Sequence, residues 1–222
     1  PRVQADIENL LDRTLEPPLQ VLVYNKQSEF RQSNIGASAG EDANIGGTAT
    51  LVDGKLFLYG TGNSADIEAQ LRRGLSRVLF HQILYGGSWQ DALRNSSAMN
   101  FPDWFSEGLF NYASLPESPS LTAALADDAR RGAFGRIEQA NDEEMMRLGH
   151  GVWKFVADIF GRPTVANVLY MSRVSRSVES GFLFAIGMDL QTLLEEVSAY
   201  HAGELKEAAD LLPPLNTRKE RR

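Results

Sequence analysis

The sequence predicts an α+β fold, in which a small sheet comes first and helices make up the rest of the 222-residue chain. Strand-like patterns occur only in the first 60 residues, and apolar residues recur at helical spacing after that point. The clearest pattern is TATLVDGKLFLYG at residues 48–60, where two apolar runs flank Asp53-Gly54, a dipeptide that suits a type I′ hairpin turn. Strands that are separated along the chain from helices favour an α+β arrangement over βαβ units.

The first 62 residues are predicted to form a β-rich subdomain with a mostly antiparallel sheet. Residues 2–14 form a short amphipathic helical segment before the first strand. Residues 19–25, LQVLVYN, are rich in aliphatic side chains and are predicted to form a buried strand. Residues 28–44 are polar and lack a clear period, which is typical of a loop, here with at most one helical turn.

Residues 63–212 are predicted to form a helical subdomain of the same domain. Asn63 or Ser64 can cap its first helix, which ends at Gly86-Gly87. Proline and glycine separate the later helices, whose predicted bounds are 103–113, 121–133, 143–160, 164–172, 177–187 and 190–211. The single domain thus covers residues 1–212, and the charged residues 213–222 are predicted to be a linker or tail that leads to a further domain.

The composition excludes several classes of function. The net charge of −7 and the lack of a long basic run argue against a nucleic-acid partner. The chain has no cysteine, which excludes disulfides, thiolate metal ligands and a cysteine nucleophile. No apolar run reaches the roughly 18 residues of a membrane span, and no signal peptide is visible. Because the sequence opens at Pro1 without a methionine, we expect it to be a piece of a longer protein.

The turn YGTGNSAD at residues 59–66 has the form G-x-G-x-x-A between a predicted strand and a helix. This form is similar to a dinucleotide-binding turn, so an oxidoreductase built on Gly60 and Gly62 is one alternative. The preceding strand is half of a predicted hairpin, so its expected neighbour is antiparallel. No second strand that ends in an acidic residue follows the helix. The pattern therefore favours a simple turn over a cofactor site.

The segment FPDWFSEGLFNY at residues 101–112 carries an isolated glutamate on a short predicted helix. Spacing places Trp104, Gly108 and Leu115 on the packed side of that helix. Glu107 can then project into a cleft while another backbone packs close to Gly108. The alternative is that Glu107 is a capping or solvent-exposed carboxylate.

The longer stretch PDWFSEGLFNYAS, residues 102–114, resembles the P-x-W-x-x-E-G-x-A-x-Y segment of gluzincin-type zinc peptidases, the peptidase MA-like group. In that family the glutamate is the third zinc ligand, and it follows a helix that bears H-E-x-x-H. The predicted hairpin and residues 149–197 also resemble the family's N-terminal sheet and its C-terminal helices. The resemblance covers most of the chain from Leu19 onward and implies a zincin-like fold.

Arg73, Gly74 and Arg77 stand where the resemblance places the two zinc-binding histidines and the catalytic glutamate. Zinc peptidases need two imidazoles at i and i+4 and a glutamate that takes a proton from bound water. Arginine has no lone pair to offer a metal, and glycine cannot act as a base. Only Glu107 remains of this set, so we expect no catalysis, no metal and no cofactor.

We expect Arg77, together with Arg73, to pair with Glu107 at the place where the family holds its ion. A partly buried carboxylate without a partner faces a desolvation cost of several kcal/mol. The alternative is that both arginines extend outward into water. His81 lies one turn past Arg77 on the same face. With Glu107 it would supply two metal ligands, which are too few for a zinc enzyme.

The resemblance therefore implies a catalytically inactive metallopeptidase-like domain that serves as a binding or structural module. The expected partner is a peptide or protein held beside an edge strand at residues 46–51, with Thr48, Thr50, His81 and Trp104 as cleft residues. The family association implies a larger exported bacterial protein of the periplasm or cell envelope, in some relatives with β-propeller repeats. The main alternative is an active metallopeptidase with an unorthodox metal site.

Overall fold

A computed structural model of the chain describes residues 2–16, 19–32, 50–52, 55–60, 62–85 and 101–211. The strands are β1 (Gln20–Tyr24), β2 (Thr50–Val52) and β3 (Lys55–Tyr59). The helices are α1 (Arg2–Leu11), α2 (Gln27–Gln32), α3 (Ser64–Tyr85), α4 (Asp103–Ser114), α5 (Pro119–Arg130), α6 (Asp142–Phe160), α7 (Pro163–Ser175), α8 (Val178–Ile186) and α9 (Leu190–Leu211), and a 3-10 helix spans Phe134–Gln139. Strands near the start and helices thereafter agree with the α+β class.

The sheet is mixed, in the order β1-β3-β2, so the prediction of a mostly antiparallel sheet is wrong. β2 and β3 pair antiparallel, with Val52 opposite Lys55, as the predicted hairpin requires. The longer pairing, from Gln20 opposite Lys55 to Tyr24 opposite Tyr59, is parallel. A hairpin signal identifies only the neighbour across the turn. A parallel neighbour needs a long connection, here residues 25–54, whose path local patterns do not predict. Asp53 and Gly54 themselves lie outside the described residues.

β1 is exposed rather than buried, which corrects the second prediction for the sheet. Val21 and Val23 are 44% and 56% exposed. β1 lies at an edge of the sheet, whereas the central strand β3 has Leu56, Phe57 and Leu58 buried. An aliphatic run is consistent with a buried strand but does not determine which strand becomes the central one.

The helix predictions after residue 100 are confirmed in position, with bounds that shift by up to three residues. The side chains of Ser118, Asn141 and Ser177 cap the N-termini of α5, α6 and α8. The helix predicted over residues 121–133 ends early, at Arg130, and Gly132 follows in a left-handed conformation with φ +66°. The 3-10 helix that comes next was not predicted. Residues 213–222, assigned above to a linker or tail, lie outside the described residues.

α4 and α6 cross at two glycines, and this crossing positions the candidate site. A Cβ atom added to Gly108 would lie 2.5 Å from the Cα of Gly149, so neither position tolerates a side chain without movement of the backbone. Trp153 Nε1 donates to the carbonyl of Phe105 at 2.8 Å and links the same two helices. The prediction that Trp104 and Gly108 face the packed side of α4 is confirmed, since both are buried. For Leu115 it is wrong, because this residue follows the last turn of α4 and is 43% exposed.

Gln70 fastens α3 to the end of the central strand. Its Nε2 donates to the carbonyl of Tyr59 at 2.9 Å, and its Oε1 accepts from the Tyr59 N–H at 3.1 Å. α1 also packs on α3, and its Ile7, Leu10 and Leu11 join the main hydrophobic core. These contacts fix the face of α3 that points toward α4.

In the part of the chain that the structure describes, no helix combines the length and the apolar character needed to cross a bilayer.

Candidate functional site

The candidate site lies between the middle of α3 and the second turn of α4. α3 begins after Asn63, whose side chain accepts from the Ala65 N–H at 3.0 Å and satisfies one donor of the first turn. Arg73 and Arg77 then lie one turn apart, on the same face. Gly74 between them is buried and has no side chain that could act as a general base.

Glu107 of α4 accepts a hydrogen bond from each of the two arginines. Arg77 Nη2 lies 2.7 Å from Glu107 Oε1, and Arg73 Nη2 bonds the other carboxylate oxygen, Oε2. The side chains are 12% exposed for Arg73, 29% for Arg77 and 26% for Glu107. The predicted pairing is therefore confirmed, and the alternative of outward arginines and a lone carboxylate is wrong. We refer to these three residues as the arginine–glutamate cluster.

Two further side chains shape the cluster. The guanidinium carbon of Arg77 lies 5.2 Å from the centre of the Phe110 ring, at a distance that permits a cation–π interaction. Arg73 Nη2 also lies 3.6 Å from the sulfur of Met146, which α6 contributes. Sequence reasoning missed both residues. Phe110 follows Glu107 by three positions, so helical spacing alone places it on the neighbouring surface of α4. No local pattern in the sequence indicated that Met146, on α6, would contact Arg73.

Burial and the repulsion between the two arginines disfavour the charged form of Arg73, whereas the ion pair with Glu107 favours it. Burial lowers the pKa of Arg73, and the nearby charge of Arg77 lowers it further, whereas Glu107 raises it. Arginine nevertheless remains protonated at any pH at which the protein is folded. Two positive charges thus meet one negative charge, and the arrangement holds permanent cationic groups against the carboxylate.

His81 continues the same face of α3, and its Nδ1 is buried and makes no hydrogen bond to any residue that the structure describes. Burial and the charge of Arg77 lower the pKa of His81 to about 4, against the opposing effect of Glu107. The ring stacks on Tyr85 at 5.5 Å between centroids. His81 is therefore neutral at pH 7, with one ring nitrogen unpaired.

Trp104 lies in the hydrophobic core and not at a cleft surface, which corrects that part of the prediction. It is 1% exposed, and its ring stacks on Phe182 at 6.3 Å. The residue is three positions before Glu107, and that offset turns it toward α6 and α8 rather than toward α3.

The strand proposed to hold a peptide is only partly described. Thr48 lies outside the described residues. Thr50 is the first residue of β2, whose described backbone pairs with β3 alone. β2 is thus an edge strand of the sheet, and its placement agrees with the expected edge position.

The glycines of the G-x-G-x-x-A turn have backbone roles. A Cβ atom on Gly60 would lie 2.8 Å from the Asn25 carbonyl oxygen, and Gly62 has φ +91°. The argument that β3 has only an antiparallel neighbour is wrong, since β1 lies parallel to it. That parallel strand comes before β3 in the chain, however, and no described strand follows α3. A dinucleotide fold requires a strand after the helix.

Comparison with known proteins adds no relative: no family model, curated protein or solved structure matches the chain. The site must therefore be interpreted from its own chemistry. Within the described residues, no three His, Asp or Glu side chains are grouped closely enough to hold a metal ion. What the arrangement can do chemically is hold an anionic group near Arg77, and its described residues provide no nucleophile with an adjacent base.

Proposed function

We propose that this protein is a non-catalytic relative of gluzincin-type zinc peptidases, with a zincin-like fold, and that it binds an extended peptide or protein segment. The observation that carries the proposal is the convergence of Arg73 and Arg77, at i and i+4 of α3, on Glu107 of α4. In a gluzincin, two histidines at that spacing and a glutamate from the next helix converge on zinc.

The arginine–glutamate cluster gives a physical reason for the loss of catalysis. A metal ion placed between these side chains would face two fixed positive charges, and guanidinium offers no lone pair. The charge of the arginines replaces the charge of the ion, so α3 and α4 remain joined without metal. Gly74, at the position of the general base, cannot accept a proton from water.

Zinc binding by a redesigned variant tests the proposed fold relationship. The double variant Arg73→His/Arg77→His should bind one equivalent of zinc. The two imidazoles and the Glu107 carboxylate would then supply the three protein ligands of a zinc site. Metal analysis of the purified variant and titration with a zinc indicator measure this. The matched control is the same variant with Glu107→Ala, which should bind zinc at least tenfold more weakly. A folded double variant that takes up no zinc would overturn the proposed relationship.

Metal content of the unmodified protein tests the absence of catalysis. We expect less than a tenth of an equivalent of zinc after purification in zinc-supplemented medium. One equivalent of zinc that disappears in Glu107→Ala would instead establish the alternative, an active peptidase with an unorthodox site.

Peptide binding is proposed to use the edge strand β2. A peptide that extends the sheet forms backbone hydrogen bonds with such a strand, and proline removes one backbone donor. On an array of random dodecapeptides, Thr50→Pro should reduce binding at least tenfold, while Thr50→Ser should leave it unchanged. Equal binding by the two variants would contradict this mode, and an array without any bound peptide would support a purely structural role.

A further inference from the structure

The arginine–glutamate cluster carries a positive charge that no other residue in the described part of the chain neutralises. Arg73 and Arg77 contribute two positive charges and Glu107 one negative charge. Among the described residues, Arg77 and Glu107 are the charged groups that shift the pKa of Arg73, and the same two shift the pKa of His81. Because His81 is neutral at pH 7, it adds no charge, and the arginine–glutamate cluster has a net charge of +1.

Glu107 uses only a fraction of the donors that the arginines offer. It accepts from one nitrogen of each guanidinium, whereas each guanidinium has five N–H donors. Arg73 Nε is buried and has no acceptor among the described residues. Arg77 has no second hydrogen bond to any described residue, and its side chain is 29% exposed. A ligand can therefore reach Arg77 from solvent.

The surroundings restrict how a ligand can approach. The Phe110 ring covers one side of the Arg77 guanidinium, which leaves its edge for hydrogen bonding. His81 Nδ1, one turn further along α3, is buried and has no hydrogen-bond partner among the described residues. A ligand must therefore approach along the exposed edge of the Arg77 guanidinium.

We infer that this face of α3 binds a carboxylate group of the captured peptide, with Arg77 as the principal donor. The inference rests on the proposed peptide-binding function and assigns the chemistry that the site recognises. A carboxylate matches the planar edge of guanidinium. Its single charge neutralises the net +1, whereas a phosphate dianion would place excess negative charge beside Glu107. The carboxylate belongs either to the chain end of the peptide or to an Asp or Glu side chain.

Titration with acetate tests the anion site without any peptide. Arginine Nε–H signals are followed by NMR at constant ionic strength, first with acetate and then with inorganic phosphate at pH 7. Acetate should shift the signals of Arg73 and Arg77 along a saturable curve, and phosphate should do so less at equal concentration. Arg72 is the internal control, since Asp6 and Glu68 already pair with it. Shifts that are absent, or equal for Arg72 and Arg77, would overturn the inference.

Three forms of one peptide array then identify the source of the carboxylate. Dodecapeptides with a free C-terminus are compared with the same sequences amidated, and with Asp and Glu replaced by Asn and Gln. Peptides that carry the recognised carboxylate should bind at least fivefold more tightly than the same peptides with that group neutralised. Arg77→Gln should abolish this preference, while Arg72→Gln should preserve it. Because the first comparison uses unmodified protein, it does not depend on the stability of the variant.

The outcomes separate the inference from the function on which it rests. Saturable acetate binding without any bound peptide would overturn the proposed function and leave the anion site standing. Peptides that bind equally in charged and neutral forms, with no acetate shift, would overturn the anion site and leave peptide binding standing.

Discussion

Glu107 Oε1 accepts a hydrogen bond from Arg77 Nη2 at 2.7 Å and so joins α4 to α3 across 30 positions of sequence. The other carboxylate oxygen accepts from Arg73, so one side chain holds two cations from successive turns of a helix. Without Glu107 the two guanidinium groups would repel each other in a partly buried setting. The carboxylate is thus expected to contribute to folding as well as to the shape of the site.

Replacing Glu107 with glutamine tests this contribution. Glutamine preserves size and an acceptor oxygen but removes the charge, so Glu107→Gln should lower the free energy of unfolding by about 2–3 kcal/mol. Urea denaturation measures the change, and 1 M salt should restore part of it by screening the arginines. Glu117→Gln is the control, because Glu117 is 75% exposed and pairs with Lys154 at 3.2 Å. Its expected cost is below about 0.5 kcal/mol. Equal costs for the two variants would contradict the assigned role.

The crossing of α4 and α6 should not tolerate a methyl group at Gly108. Because an added Cβ would lie 2.5 Å from Gly149 Cα, Gly108→Ala must separate the helices, at a cost of about 3 kcal/mol or more. Gly135→Ala is the matched control, since nothing lies within 4 Å of its added Cβ. Thermal unfolding should show a large decrease in Tm for the first variant and little change for the second. A stable Gly108→Ala protein would mean that this crossing is looser than described.

Acid should destabilise the protein partly through His150. Burial, together with the charges of His201 and Lys154, lowers the pKa of His150 to about 4, although a hydrogen bond to the Asn111 backbone opposes this. The unfolded chain binds the proton near pH 6.5, whereas the folded protein resists it until about pH 4. Stability is therefore complete above pH 6.5 and decreases as the pH falls toward 4, by up to about 3 kcal/mol from this residue. Burial lowers the pKa of His81 similarly, so its contribution has the same sign.

The dependence of stability on pH, rather than stability at one pH, isolates this effect. Unfolding by urea at pH 7 and pH 4.5 should show a smaller difference for His150→Gln than for the unmodified protein. An unchanged difference would show that His150 does not resist protonation in the folded state.

Gln70 should determine how firmly the sheet is attached to α3. Gln70→Met keeps the length of the side chain but removes both hydrogen bonds to the Tyr59 backbone, at an expected cost of about 2 kcal/mol. Hydrogen exchange at the Tyr59 amide should accelerate correspondingly. Gln191→Met serves as control, because Gln191 is exposed and its side chain bonds Glu195 on its own helix, at 3.0 Å. Exchange that is equally slow in both variants would contradict this attachment.

The sequence alone determined much of the secondary structure and the chemical character of the site. Helix positions after residue 100 follow from apolar spacing and from capping residues such as Ser118 and Asn141, because these signals act within one or two turns. The spacing of Arg73 and Arg77 also follows from local geometry, whereas the expectation that they pair with Glu107 came from the family resemblance together with the cost of burying an unpaired carboxylate.

Only the tertiary structure decided which distant segments meet. β1 became an exposed edge strand parallel to β3, and Trp104 turned into the core, because the packing of whole elements determines which face of each is covered. The close contact of Gly108 with Gly149 depends in the same way on how α4 crosses α6. Periodicity shows which residues share a face of an element. Which element packs against that face depends on the packing free energy of all elements together, and this cannot be derived from one short segment.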